Sequence, residues 1–415
     1  MVAPAGHLAV DGRRLIERLD ALAEIGAIEG GGCCRLALTE ADRAGRDLVV
    51  AWMEELGLQV GIDAIGNVVG TWATGSGAPV MVGSHIDTVA TGGRFDGNLG
   101  VLAGLEVVET LMRAGVRPVR PVAVAFFTDE EGARFAPDML GSLVYAGGMA
   151  LETALDVVGV DGARLGDELE RIGYAGSRPC PGPAPYAYVE LHIEQGPLLE
   201  AEGVQIGAVT GVQGISWVEL TIVGQSNHAG TTPIALRHDP GYVAAEVAVF
   251  ARRLAVELGG HQVCTVGALT LHPNLVNVVA AKATMTIDMR NTDDTELLRA
   301  EAEMRAFVDA VATQEGVEVS TRQLARFEPV EFDERMVELV ERTARAQGRT
   351  VRRMPSGAGH DAQMLARCCP AAMVFVPSAK GISHNPAEHT SPDDLQAGAN
   401  VLLDVVAHLA TEGLA

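Results

Sequence analysis

The chain has 415 residues, 48% hydrophobic and 20% charged, which is ordinary for a globular protein of two or three domains and excludes disordered and fibrous classes. A formal charge of −23 sets it against nucleic acid and anionic membranes, and no run approaches the roughly 18 apolar residues of a membrane span. With Phe 9, Trp 3 and Tyr 5, no platform for stacking bases or sugars is expected.

The opening MVAPAGHLAV has no basic stretch leading into a long apolar one, so no secretory signal is expected. Cys33, Cys34, Cys180, Cys264, Cys368 and Cys369 show no C-x-x-C spacing and read as free thiols of a cytoplasmic protein.

Taken in order, a helix starts at Thr39, whose hydroxyl can cap it, and stops at Gly57. Strands follow at Val68–Thr71 and Val80–Gly83, then a helix Leu99–Met112, a strand Val122–Thr128, a proline-rich loop Pro179–Pro185 and a strand Tyr188–Ile193. This alternation predicts an α/β fold with a mainly parallel sheet covered by helices. From about Gly214 the rhythm changes: strand Ile215–Val223, helix Pro240–Leu258, strands Val263–Leu271 and Val276–Asp288 around the turn His272-Pro273-Asn274, a helix capped by Thr292, and strand Val317–Leu324. The order β-α-β-β-α-β is the ferredoxin-like split motif. The alternation then resumes, with a strand at Ala372–Val376. The expected organisation is a discontinuous catalytic domain, 1–213 and 330–415, interrupted by an α+β domain at 214–329.

Histidines and carboxylates recur where these strands end. His85 falls just past one apolar strand and Asp96 just before a helix; Asp87 can accept the second ring N–H of His85 and fix its tautomer. Asp129, Glu130 and Glu131 follow another strand, a costly cluster unless a cation or a raised pKa relieves the repulsion. Adjacent Glu130 and Glu131 point to different sides, so one can hold a metal while the other faces a water. His192 and His384 arrive at two further strand ends. Sites in open α/β sheets form beyond the carboxyl ends of strands, and imidazoles with carboxylates suit a divalent metal of borderline hardness. His7, His238, His261, His272 and His408 have no convergent partners and read as structural or exposed, while His360, Asp361 and His389 adjoin these motifs.

The segments GSHIDTVATGGRFDGNLG, FFTDEEGARF, HIEQGP, SNHAGTTP, PNLVNVV, SGAGHDA and SHNPAEHT resemble, in order, the motifs of the zinc-peptidase-related amidohydrolases that cleave N-carbamoyl groups. That family includes N-carbamoyl-L-amino-acid hydrolases, β-ureidopropionases and allantoate amidohydrolases. The resemblance implies a zinc-exopeptidase-like sheet with helices on both faces, and an inserted dimerisation and lid domain in a cytoplasmic homodimer. It further implies two divalent ions per subunit, Zn²⁺ or Mn²⁺ with Co²⁺ or Ni²⁺ as alternatives. Asp96 would bridge them, His85 and His192 would complete one site, and Glu131 and His384 the other. Glu130 would be the general base, taking the proton of a metal-bridging water so that a bridging hydroxide attacks. His228, Asn277 and Arg290 on the inserted domain would hold substrate, the first two in the partner subunit's site. Gln195 and the backbone around Gly359 would line the pocket.

The function implied is hydrolysis of the ureido C–N bond of an N-carbamoyl-L-amino acid to the amino acid, carbon dioxide and ammonia. Allantoate and N-carbamoyl-β-alanine share a ureido group and a carboxylate, so the same residues serve them. A metallo-aminopeptidase or carboxypeptidase fits HIEQGP and the lid residues poorly. A catalytically silent scaffold on the same fold would show loss of the base or of a ligand, and here Glu130 and all five ligands are present.

Overall fold

The computed structural model describes residues 8–414; His7 lies outside them. The strands, in chain order, are β1 (Gln59–Ile62), β2 (Val68–Trp72), β3 (Val80–His85), β4 (Val122–Phe127), β5 (Ala187–Ile193), β6 (Ile206–Val212), β7 (Gly214–Val223), β8 (Asn227–His228), β9 (Val263–His272), β10 (Val278–Val279), β11 (Lys282–Asn291), β12 (Glu318–Phe327), β13 (Val330–Glu331), β14 (Val351–Ser356) and β15 (Ala371–Val376). Chain contacts divide the molecule into two compact units, one ending at Gly211 and resuming at Glu331, the other spanning Val212–Val330. No described helix is long and apolar enough to cross a membrane.

The first unit is built on a sheet of order β1-β2-β4-β3-β5-β15-β6-β13, with β14 beside β6. Its centre, β4-β3-β5-β15, is parallel, whereas β1, β2 and β6 pair antiparallel. The sequence accounts for this centre: VMVGSH, VAVAFF, AYVELHI and AAMVFV are buried at every position, as strands covered on both faces must be. The helix Asn98–Arg113, buried from Asn98 to Leu111, packs on β3, β4 and β5. The helix Pro392–Thr411 packs on β15, β5 and β3; Pro392 opens it, and Ser391 caps it by accepting the Asp394 N–H. Because the four central strands run the same way, their carboxyl ends meet at one edge. His85 pairs with Phe127, and His192 with Phe375.

In the second unit the sheet order is β12-β7-β11-β9, all antiparallel. Along β11 every second side chain is buried, and that face meets the helices Pro240–Leu258 and Asp294–Glu315 in one apolar cluster that includes Ile222, Val247, Met285, Ile287 and Met304. Phe250 and Phe307 stack at 4.0 Å between centroids where the two helices meet. Two local expectations differ from what is found. The run Val276–Asp288 is not one strand: β10 pairs with β8 in a separate ribbon, and β11 starts only at Lys282. The cap of the second helix is Asp293, not Thr292, because the Asp293 carboxylate accepts the N–H groups of Thr295 and Glu296 at 2.7 and 3.2 Å.

Candidate metal centre

Four loops at the carboxyl ends of the parallel strands carry the site in the first unit. β3 ends on His85 itself, and the chain returns through Asp96 to Gly97, which precedes the helix Asn98–Arg113. Gly97 has φ +66°, and a Cβ there would lie 2.4 Å from the His85 ring; only glycine lets the backbone pass so close. After β4, Asp129 takes φ +57°, a conformation aspartate tolerates better than most residues, and the chain turns so that Glu130 and Glu131 face different neighbours. β5 carries His192, and the loop after β15 carries His384.

Both buried histidines are oriented by backbone carbonyls. His85 Nδ1 lies 3.0 Å from the Asp87 carbonyl and His192 Nδ1 lies 2.8 Å from the Ile193 carbonyl. With the proton on Nδ1, each turns Nε2 to the site, where that of His192 also accepts the Gly97 N–H at 3.2 Å. His85 Nε2 is 3.7 Å from Asp96 Oδ1 and His192 Nε2 is 3.1 Å from the same oxygen. The other oxygen, Oδ2, is 3.4 Å from His384 Nε2, which is itself 3.2 Å from Glu131 Oε2. Two candidate ligand groups result, His85–Asp96–His192 and Asp96–Glu131–His384, with the atoms of each within 4.8 Å of one another. A third candidate group, Glu190–His192–His360, is buried. Its atoms are largely engaged elsewhere, Glu190 by Ser84, Tyr188 and the Ala362 N–H, and His360 by Ser356.

Glu130 Oε2 stands 3.3 Å from His85 Nε2. Asp87 differs from expectation in the atom used. Its carbonyl, not its carboxylate, takes the His85 ring, because the carboxylate accepts the N–H groups of Glu130 and Glu131, each at 3.3 Å, and so fixes the turn that carries both acids. Gln195, at φ +57°, donates through Nε2 to Asp96 Oδ2 at 2.8 Å, while its Oε1 is buried with no partner among the described residues. Gly359 precedes His360, whose ring meets His192 edge-on at 4.5 Å between centroids.

The charges are poised for a cation. Burial, reinforced by Asp361, Glu131, Asp87 and Asp96, pushes the Glu130 carboxyl well above the usual range, and burial raises Glu131. Burial also raises Asp87 to about 7. Burial works against ionised Asp96 as well, but the hydrogen bonds with His192 and His384 hold it well below the usual carboxylate range. Burial lowers His85 to about 4. It opposes protonation of His192 too, yet the Asp96 carboxylate lifts that ring to about 9. Hydrogen bonds to Asp96 and Glu131 raise His384 to about 11. A buried centre in which carboxylates resist ionisation and imidazoles borrow protons is short of positive charge. Its nitrogen and oxygen donors fit divalent ions of the zinc and manganese kind.

The remaining expected residues lie in the second unit. The β8–β10 ribbon brings His228 opposite Val278, and the Ala229 N–H donates to the Asn277 carbonyl at 2.9 Å. His228 Nδ1 accepts the Gly230 N–H at 3.0 Å, which leaves the proton on Nε2. Arg290 sits near the far end of β11, opposite Ile215, and its guanidinium donates to the Asp288 carboxylate at 2.8 Å. Sequence reasoning missed Glu388 and Ser383, which hold the Asp96 loop, and Glu190 behind His192. Glu388 and Ser383 stand inside SHNPAEHT, but nothing in their spacing sets them apart from loop residues.

The model of peptidase family M20/M25/M40 matches residues 81–408. An N-carbamoyl-L-amino-acid amidohydrolase of Rhizobium meliloti is 40% identical over 412 residues, 99% of each chain. Another protein of that name, from Geobacillus stearothermophilus, is 39% identical over 97% of this chain and 99% of its own. An allantoate amidohydrolase of Bacillus subtilis (strain 168) is 33% identical over 95% and 97%. A solved amidase of the hydantoinase/carbamoylase family from Burkholderia multivorans superposes with TM-score 0.93 at 45% identity, covering 97% of this chain and 98% of that one. The chain therefore belongs to peptidase family M20/M25/M40, a family of hydrolases, and stands with the members named amidohydrolases.

Proposed function

We propose that the protein hydrolyses N-carbamoyl-L-amino acids to the amino acid, carbon dioxide and ammonia, with two divalent ions per subunit. The observation that carries the reading is Asp96, whose two oxygens face separate histidine-containing groups 3.1–3.7 Å away. The near full-length relatives of that name supply the substrate class. When bound, two such ions would supply Lewis acidity for a poor electrophile, since two nitrogens donate into the ureido carbonyl.

The chain's own residues then have distinct work. Glu130, kept basic by burial, takes a proton from the attacking water and returns it to the departing nitrogen. His228, with its proton on Nε2, can donate to the oxyanion that forms, an effect worth about 3–4 kcal/mol where single donors have been removed. Arg290 offers a planar fork to the substrate carboxylate, which must compete with or share Asp288. The unpartnered Gln195 Oε1 is an acceptor ready for a substrate N–H.

His228 and Asn277 as donors to a partner subunit's site, and hence a homodimer, belong to the same proposal. Lys282 begins β11 beside the ribbon and Arg290 lies eight residues along it, about 26 Å at strand spacing. One small ureido acid cannot reach both ends within one copy. A dimer through the second unit is supported by Tyr242, Val249 and Val256, exposed at heptad spacing on one helix, and by β9, which pairs on one side only. Cytoplasmic residence is supported by six cysteines that are all free.

The test is kcat/KM for N-carbamoyl-L-amino acids, N-carbamoyl-β-alanine and allantoate, with and without chelator. The reading requires chelator-sensitive ammonia release and a preference for an N-carbamoyl-L-amino acid. Preference for allantoate would move the substrate while keeping the chemistry, and no release from any ureido acid by metal-loaded protein would end the reading.

A further inference from the structure

Glu388 lies four residues after His384 in the loop that follows β15, and it is only 5% exposed. Its Oε1 accepts the backbone N–H groups of Phe95 at 2.9 Å and Asp96 at 3.2 Å. Its Oε2 is 3.2 Å from Ser383 Oγ, and that hydroxyl donates to Asp96 Oδ2 at 2.8 Å. One carboxylate thus grips the backbone of Asp96 and stands beside the Ser383 hydroxyl, whose single proton is shared between it and the Asp96 side chain. Gly93 makes room for it, since a Cβ there would come within 2.1 Å of the Glu388 carboxylate. The same two loops are tied twice more, by the Thr91 hydroxyl donating to the His384 carbonyl at 3.2 Å and by the Phe95 ring meeting His389 edge-on.

Burying a carboxylate costs several kcal/mol unless its partners repay it, and these partners are the segment carrying Asp96 and the residue before His384. Asp96 and His384 sit on different loops yet must face a common ion. The other candidate group is held differently: His85 and His192 belong to neighbouring strands, which fix their separation through the sheet. We propose that Glu388 is a positioning residue that sets the span between Asp96 and His384, so that the Asp96–Glu131–His384 group depends on it and the His85–Asp96–His192 group depends on it far less. This rests on the reading that both groups hold ions.

The experiment titrates metal-stripped wild type, E388A, E388D and E388Q with Mn²⁺ against a chromophoric chelator, with circular dichroism and thermal unfolding to establish the fold. Wild type is expected to bind two ions. E388A and E388D are expected to bind one ion as wild type does and the other about 10–100-fold more weakly. E388Q stays within about threefold of wild type, since its amide oxygen accepts the same two N–H groups and its NH₂ reaches Ser383 Oγ. Should E388A not fold, E388D, whose shorter side chain cannot span both partners, carries the comparison. Two ions of wild-type affinity in the shortened variants, or equal weakening of both, overturns the proposal. A wild type that binds no ion defeats the metal reading itself, and this proposal with it.

Discussion

His85 and His192 expose Nε2 because a neighbouring carbonyl occupies Nδ1 in each, so their ligand geometry is set by the backbone of their own strand ends. Glu130 differs, being placed by the Asp87 carboxylate and aimed past His85. Replacing Glu130 with glutamine keeps shape and removes the proton acceptor, so metal content is expected to hold while kcat falls about 10²–10⁴-fold. Normal turnover in that variant would take the base role away from Glu130. Arg290→Ala is expected to raise KM for carboxylate-bearing substrates about 10–100-fold, the loss of one charge-assisted contact at about 1.5–3 kcal/mol, with kcat changed less. An unchanged KM would leave Arg290 with a structural role beside Asp288. At this scale the sequence showed the candidate ligands, because histidine and acid at apolar strand ends are chemically conspicuous. It hid Glu388 and Ser383, because their partners are backbone amides and a side chain nearly 300 positions away, and it named Asp87 while mistaking the atom.

Elements were legible where burial leaves a mark. The four central strands are buried throughout and mostly apolar, and the helix Pro240–Leu258 begins and ends where its pattern does. The break between β10 and β11 left none, since the run is apolar on both sides of it and only the pairing with β8 separates them. Of the strands flanking the parallel centre of the main sheet, β2 was marked by the run Val68–Thr71, whereas β1, β6, β13 and β14 were not. Gly97 joins element to site: alanine there meets both an unfavourable φ and the His85 ring, so Gly97→Ala is expected to lower metal affinity and Tm together. An alanine variant with wild-type metal affinity would show that the loop yields without moving His85. The exposed Val249 and Val256 give the element-scale test of the proposed dimer. The double variant V249E/V256E is expected to sediment as a monomer and to lose activity while its metal sites fill, because His228 and Asn277 would be withdrawn from the partner. A monomeric variant with full activity would contradict that sharing.

Over the whole molecule, the metal-free centre opposes folding as pH rises. Burial raises Asp87 and Glu388 to about 7, so their contribution to stability is complete below the ordinary carboxylate range and lost as pH climbs through about 7. His192 and His384, raised to about 9 and 11, lose theirs in the same direction at higher pH. His85, lowered to about 4, acts oppositely but only below its ordinary value of 6.5. From pH 6.5 to 8 the Tm of stripped protein is therefore expected to fall, whereas metal, which needs deprotonated ligands, binds more tightly. The gap in Tm between loaded and stripped protein should widen over that interval, and a constant gap would mean that the ions do not relieve these carboxylates.

The account depends on His85, Asp96, Glu131, His192 and His384 acting as one ligand set, and the most direct measurement is anomalous diffraction from crystals grown with Mn²⁺. Two peaks about 3.5–4 Å apart, one on each side of the Asp96 carboxylate, are predicted. A single peak elsewhere, or none beside Asp96 in protein that releases ammonia from an N-carbamoyl-L-amino acid, would contradict it.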